Sequence, residues 1–129
     1  MPTDKKILSI GIDPFLIDFT SLEYAAFPGM NAEKVAAGID KSINELCELG
    51  YDADKCWIDF GETAIEVVSE RLEKNTYACV LVGAGIRKPD TNFLLFENLV
   101  NLIHEKAPTA KICFNSTPHD AIKAIQRWV

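Results

Sequence analysis

Four stretches of the chain follow an apolar run with residues that can bind a ligand or move a proton. They are Gly11-Ile12-Asp13-Pro14, Asp59-Phe60-Gly61-Glu62-Thr63, Gly83-Ala84-Gly85-Ile86-Arg87 and Asn115-Ser116-Thr117-Pro118-His119. In the third, two glycines let the backbone come close to a ligand, and Arg87 offers a planar fork of donors to a phosphate or carboxylate. Asn115 adds an amide, and Ser116 can meet an anion at the start of a following helix. Asp13 suits a general base, a metal ligand or an acceptor for a sugar hydroxyl; standing before Pro14, it equally suits the start of a turn. His119, in the first turn of a helix, would be held neutral by the helix dipole and so able to transfer a proton. The catalytic candidates are therefore Asp13 and His119, and the ligand-binding candidates are Asp13, Gly83, Gly85, Arg87, Asn115 and Ser116. Asp59 and Glu62 form a second acidic pair, which on an edge strand would face solvent, with Glu62 favouring a helix start.

Several chemistries lack their signature. Lys88 stands where a G-x-G-x-x-G motif needs its third glycine, Pro89 follows, and there is no G-x-x-x-x-G-K-[ST] loop. No nucleophile, base and orienting group can be assembled by spacing. Cys47, Cys56, Cys79 and Cys113 include no C-x-x-C pair and have no histidine at metal-ligand spacing, so no metal site is expected. Cys79 and Cys113 lie in apolar runs, where a reduced thiol behaves as a small hydrophobe.

What must position these residues is an alternation of strands and helices. Apolar runs at 7–12, 56–59, 78–82 and 111–115 read as strands. The second is short and polar at both ends, which suits a sheet edge; the third is apolar without alternation, which suits a strand covered on both faces. The first helix opens at Asn31, carries Val35, Ile39, Ile43 and Leu46 on one face and stops at Gly50. The second follows Thr63, turns Ile65, Val68 and Leu72 inward and stops at Asn75. A third covers 91–106 with apolar residues over half its circumference, and Leu94 outside even that stripe. The fourth opens with Thr117 as N-cap, Pro118 at the first helical position and Asp120 three residues after the cap. The pattern predicts one domain over 1–129: a three-layer α/β/α sandwich on a four-stranded parallel sheet in the order 2-1-3-4. In such sheets ligands bind beyond the carboxyl ends of the strands, where strand order reverses, here between strands one and three.

The segment 14–30 is long for a connection in an α/β unit, where two to roughly six residues are usual. Its Phe15, Leu16, Ile17, Phe19, Leu22, Tyr24 and Phe27 must cover the crevice as a lid, pack on the sheet end or form a subunit interface. A homodimer would use this loop or the wide apolar face of the helix at 91–106.

Composition narrows the setting. The chain has 129 residues, 48% of them hydrophobic and 25% charged, which is ordinary globular composition. A net charge of −6 with scattered Lys and Arg argues against binding to nucleic acid or an anionic membrane. The longest apolar stretch, 77–86, is too short to span a bilayer, and the run at 7–12 is too short for a signal-peptide core, so a cytoplasmic location is expected.

The alternation and strand order resemble the flavodoxin-like and Rossmann-like folds along essentially the whole chain, a resemblance of architecture that carries no family fingerprint. A flavin would need a Ser/Thr-rich phosphate loop after the first strand, where Asp13-Pro14-Phe15 stands instead, so no cofactor is implied. Two functions follow. One is a protein, enzyme or not, that binds a small anionic or hydroxylated ligand at the carboxyl edge of the sheet. The other is a non-catalytic regulatory or protein-interaction module similar in shape to the receiver domains of two-component systems, with Asp13 after strand one and Ser116 or Thr117 after a later strand. It departs from that family in lacking a second acid beside Asp13, a fifth strand and a Lys-Pro after the last strand, and Gly83 takes the phosphoacceptor position.

Overall fold

A computed structural model describes residues 5–21, 28–117 and 119–129. Strands β1 (Lys6–Ile12), β2 (Asp52–Ile58), β3 (Cys79–Val82) and β4 (Lys111–Phe114) form one parallel sheet in the order β2-β1-β3-β4. Helices α1 (Ala32–Glu48), α2 (Ala64–Lys74), the single turn α3 (Ala84–Arg87) and α4 (Phe93–Lys106) connect the strands, and α5 (Ala121–Gln126) follows β4. All four residues of β3 are buried, because helices cover both faces of the sheet. No helix among the described residues is long and apolar enough to cross a membrane.

The two outer layers divide as the strand order requires. Leu8, Ile10, Ile12, Val80 and Val82 point to the side where α2 and α4 bury Val68, Leu72, Leu95, Leu99 and Ile103. Ile7, Cys79, Leu81 and Cys113 point to the other, against Leu46 of α1 and Ala121, Ala124 and Ile125 of α5. The sulfurs of Cys79 and Cys113 lie 3.2 Å apart between neighbouring strands. Their hydrogen bond and burial push the Cys113 thiol up, so it stays neutral in the core.

Local chemistry sets the helix ends. The Asn31 side chain accepts the Lys34 N–H at 2.9 Å, and Gly50, at a φ of +97° that side chains rarely adopt, reverses the chain after α1. At the head of α2, the Asp59 carboxylate accepts the N–H groups of Gly61, Thr63 and Ala64 and the hydroxyl of Thr63.

Three boundaries differ from the sequence expectation. β2 begins at Asp52 instead of near Cys56: charged Asp52, Asp54 and Lys55 hide a strand whose Ala53 and Cys56 are buried, and Lys6 of β1 holds Asp52 in an ion pair at 3.0 Å. The glycine-rich stretch after β3 is no open loop, since Gly83 leads into α3, and a 3-10 turn at Asp90–Asn92 then starts α4. The last helix starts at Ala121, four residues beyond the expected cap at Thr117. There the Asp120 carboxylate folds back to accept the N–H groups of Ser116 and Thr117, each at 3.0 Å, a local closure that competes with helix. Pro118 lies outside the described residues.

Leu99 is fully buried in the α4 layer, whereas Leu94, five residues earlier, is 75% exposed. Leu99→Ala should therefore lower unfolding free energy by about 2–5 kcal/mol in urea titrations, and Leu94→Ala by no more than about 0.5 kcal/mol.

Candidate functional site

Small residues in the central strand open a hollow in the core. Successive side chains of β1 alternate between faces, so Leu8, Ile10 and Ile12 fill the α2/α4 side while Ile7, Ser9 and Gly11 face α1. Ile7 supplies bulk at the start of the strand; Ser9 and Gly11 supply little toward its carboxyl end. α1 spans this gap, and its Val35, Ile39 and Ile43 are only partly buried because nothing fills the space beneath them. The result is a cavity of about 470 Å³ between α1 and the sheet. That volume lies within the range of small-molecule sites.

Trp57 of β2 pairs with Gly11, and a Cβ built on Gly11 would lie 3.8 Å from the indole ring, so the ring spreads beside the glycine and forms one wall. The Lys55 ammonium sits 5.1 Å from the Trp57 ring centroid and 2.6 Å from a carboxylate oxygen of Asp40 on α1. This pair ties α1 to the edge strand across the wall. Leu81 of β3 and Ala121 of α5 line the opposite side.

The mouth opens beyond the carboxyl ends of β1, β3 and β4, at the strand-order reversal. Its frame is a set of short bonds. The Gly83 N–H donates to the Ile10 carbonyl at 2.9 Å, and a Cβ on Gly83 would stand only 3.0 Å from that oxygen. Asn115, 8% exposed, accepts the Ala84 N–H at 2.8 Å and donates to the Thr117 carbonyl at 2.9 Å, joining the turns that follow β3 and β4. Lys88 lies at the mouth and donates to the Ser116 carbonyl at 2.6 Å.

Of the candidates named from sequence, Gly83, Gly85, Asn115 and Ser116 line this cavity together. Arg87 does not: its guanidinium donates to the Asn115 carbonyl at 2.8 Å, and its Nε is buried with no partner among the described residues. Asp13 also stands outside the lining; its carboxylate accepts the Phe15 N–H at 3.0 Å and caps a 3-10 turn at Pro14–Leu16. His119 is exposed, and its backbone N–H donates to the Thr117 hydroxyl. Asp59 caps α2 and Glu62 is exposed. Among the described residues no group of three or more His, Cys, Asp or Glu side chains is placed to hold a metal ion. Ile17 and Met30, from the two ends of the long connection, reach the cavity, and Phe15 and Leu16 are exposed. Leu22, Tyr24 and Phe27, three of the seven apolar residues behind the lid and interface expectations, lie outside the described residues.

Sequence reasoning missed Ser9, Ser42, Trp57 and Lys88 as lining residues. The signal was present in Ile7-Leu8-Ser9-Ile10-Gly11-Ile12, where one face of a central strand is uniformly large and the other is large only at Ile7.

Gly83→Ala should lower stability by about 1–2 kcal/mol, because the new methyl group meets backbone at the sheet centre. Gly85→Ala meets nothing within 4 Å and sits in α3, so its melting temperature should hold or rise. The Thr63 hydroxyl, ahead of the backbone donors, holds the Asp59 carboxyl down to about 2. A folded value below the unfolded one of about 3.9 means that ionised Asp59 stabilises fully above pH 4 and loses that effect as pH falls toward 2. Asp59→Ala should accordingly melt below the parent at pH 7, with the gap narrowing between pH 4 and pH 2 in thermal scans.

No protein-family model, no curated protein and no solved structure matches the chain.

Proposed function

We propose that the protein binds a small molecule with an apolar body and an anionic or hydroxylated end, the body under α1 and the end at the carboxyl edge of the sheet. The carrying observation is the cavity of about 470 Å³ itself, mostly apolar in its depth and polar where Gly83, Gly85, Lys88, Asn115 and Ser116 frame its mouth. Its charged lining residues are Lys88 and Asp90, and Lys88 is the group that would meet an anion. The division of labour follows from magnitudes. Burying roughly 150 Å² of ligand carbon contributes about 4 kcal/mol, which alone gives only millimolar binding. Polar contacts at the mouth must therefore supply both orientation and most of the specificity.

Arg87 enters this reading as a support: bonded to the Asn115 carbonyl, it braces the residue that joins the two turns of the mouth. Asp13 and His119, placed outside the cavity lining, carry no role in it.

A second reading, an interaction module, draws on Phe15, Leu16, Phe60, Phe93 and Leu94, which are exposed large apolar residues in segments that follow the carboxyl ends of β1, β2 and β3. Light scattering tests it as self-association: a mass that rises with concentration and falls back in Leu94→Glu supports it, and a constant single-chain mass removes the homodimer.

Thermal shift against alkyl and aromatic carboxylates, sugar phosphates and polyols tests the binding reading. At about 100 times its dissociation constant, a ligand of the folded state adds about 2.7 kcal/mol, a shift of several degrees for a chain of this size. Ile39→Trp, which fills the hollow from α1, should stay folded and lose the response. An equal shift in parent and variant would place binding elsewhere, and no shift with any class would remove the reading.

A further inference from the structure

The cavity also holds polar groups in its depth. Ser9 lies in its floor, on the central strand, and Ser42 in its roof, on α1. Both side chains are only partly buried, and neither hydroxyl has a hydrogen-bond partner among the described residues. Ser42 does not bond back to the carbonyl one turn earlier, the usual local partner of a helical serine. A hydrocarbon chain lying across these hydroxyls would strip their water and return nothing, the unfavourable half of a hydrogen-bond exchange. A ligand carrying its own donor or acceptor on the part buried in the cavity would satisfy them.

The wall beside them is aromatic and braced. Trp57 spreads beside Gly11, and Lys55, itself paired with Asp40, lies over the ring at 5.1 Å from its centroid. An indole in an apolar slot, with the bare backbone of Gly11 next to it, matches a flat partner better than a flexible one: aromatic pairs gain from offset stacking or edge contact beyond their buried area. A rigid ring also loses less conformational freedom on binding than a chain does.

We infer that the ligand is a flat aromatic or heteroaromatic acid. Its ring lies against Trp57, a ring hydroxyl, carbonyl or nitrogen bonds Ser9 and Ser42, and its carboxylate lies at the mouth beside Lys88 and Ser116. This rests on the binding reading above and narrows it, because that reading is equally compatible with an alkyl acid.

Titration calorimetry with three probes of similar length separates the two levels: 4-hydroxycinnamate, cinnamate and nonanoate. The expected order is 4-hydroxycinnamate tightest, with cinnamate and nonanoate each weaker by about tenfold or more. Ser9→Ala with Ser42→Ala should bring 4-hydroxycinnamate and cinnamate to about the same affinity, and should leave the circular dichroism spectrum unchanged. Should that double variant misfold, Trp57→Phe and Trp57→Leu decide the point: Phe should keep the preference for aromatic acids over nonanoate, and Leu should lose it. Nonanoate binding as tightly as 4-hydroxycinnamate would overturn the inference and leave the binding reading standing. So would a hydroxyl preference that survives in the double variant, or an aromatic preference that survives in Trp57→Leu. Failure of all three probes, together with a flat thermal-shift panel, would remove both.

Discussion

A central strand carrying Ser9 and Gly11 on one face cannot build a full core there. β1 has a neighbour on each side, so its side chains form the middle of both faces of the sheet. On the α2/α4 side it supplies Leu8, Ile10 and Ile12 and the layer closes tightly, with Val68, Leu99 and Ile103 all at 0% exposure. On the other side α1 contributes Leu46 as its one buried residue, and the space over Ser9 and Gly11 stays open. The asymmetry of the molecule, one packed layer and one hollow layer, follows from two positions in one strand. The proposed binding rests on this hollow, open at its mouth and bordered by an aromatic ring and two hydroxyls.

The rim is built on the opposite principle, with short bonds and little space. Gly83 lets β3 end against the Ile10 carbonyl, and the Asn115 amide then engages the turn after β3 and its own turn after β4. Both bonding ends of this side chain are satisfied, as a buried amide requires. Arg87 braces the same asparagine through its carbonyl. Rigid rim and roomy interior are complementary: the first fixes where a polar end group would sit, and the second tolerates variation in what lies behind it.

Strand order, layer assignment and the crevice between strands one and three were legible in the sequence because each depends on periodicity and on the rules of parallel sheets. The limits of β2 were not, because an edge strand with Asp52, Asp54 and Lys55 lacks the apolar run that marks a strand. The start of the last helix was misplaced because Asp120, read as a residue inside the first turn, caps the preceding turn instead. Residue types at strand ends identified the rim, with Gly83, Gly85, Asn115 and Ser116 brought together. They do not distinguish side chains that face the cavity from those that bond elsewhere: Arg87 bonds within the frame, and Asp13 caps its own turn. That distinction depends on direction, which spacing in a loop does not encode.

The anchoring of α1 has a dynamic consequence. A helix of 17 residues that buries only Leu46 fully, with Ile43 and its neighbours partly covered and a solvent-accessible charge pair at its side, has a smaller free energy of local opening than α4, which buries three. Screening by ordinary salt weakens the Asp40–Lys55 tether further. A molecule seated in the hollow would therefore lie between a β3–β4 rim fixed by short bonds and a roof that can lift, so the space beneath α1 could widen without disturbing the mouth.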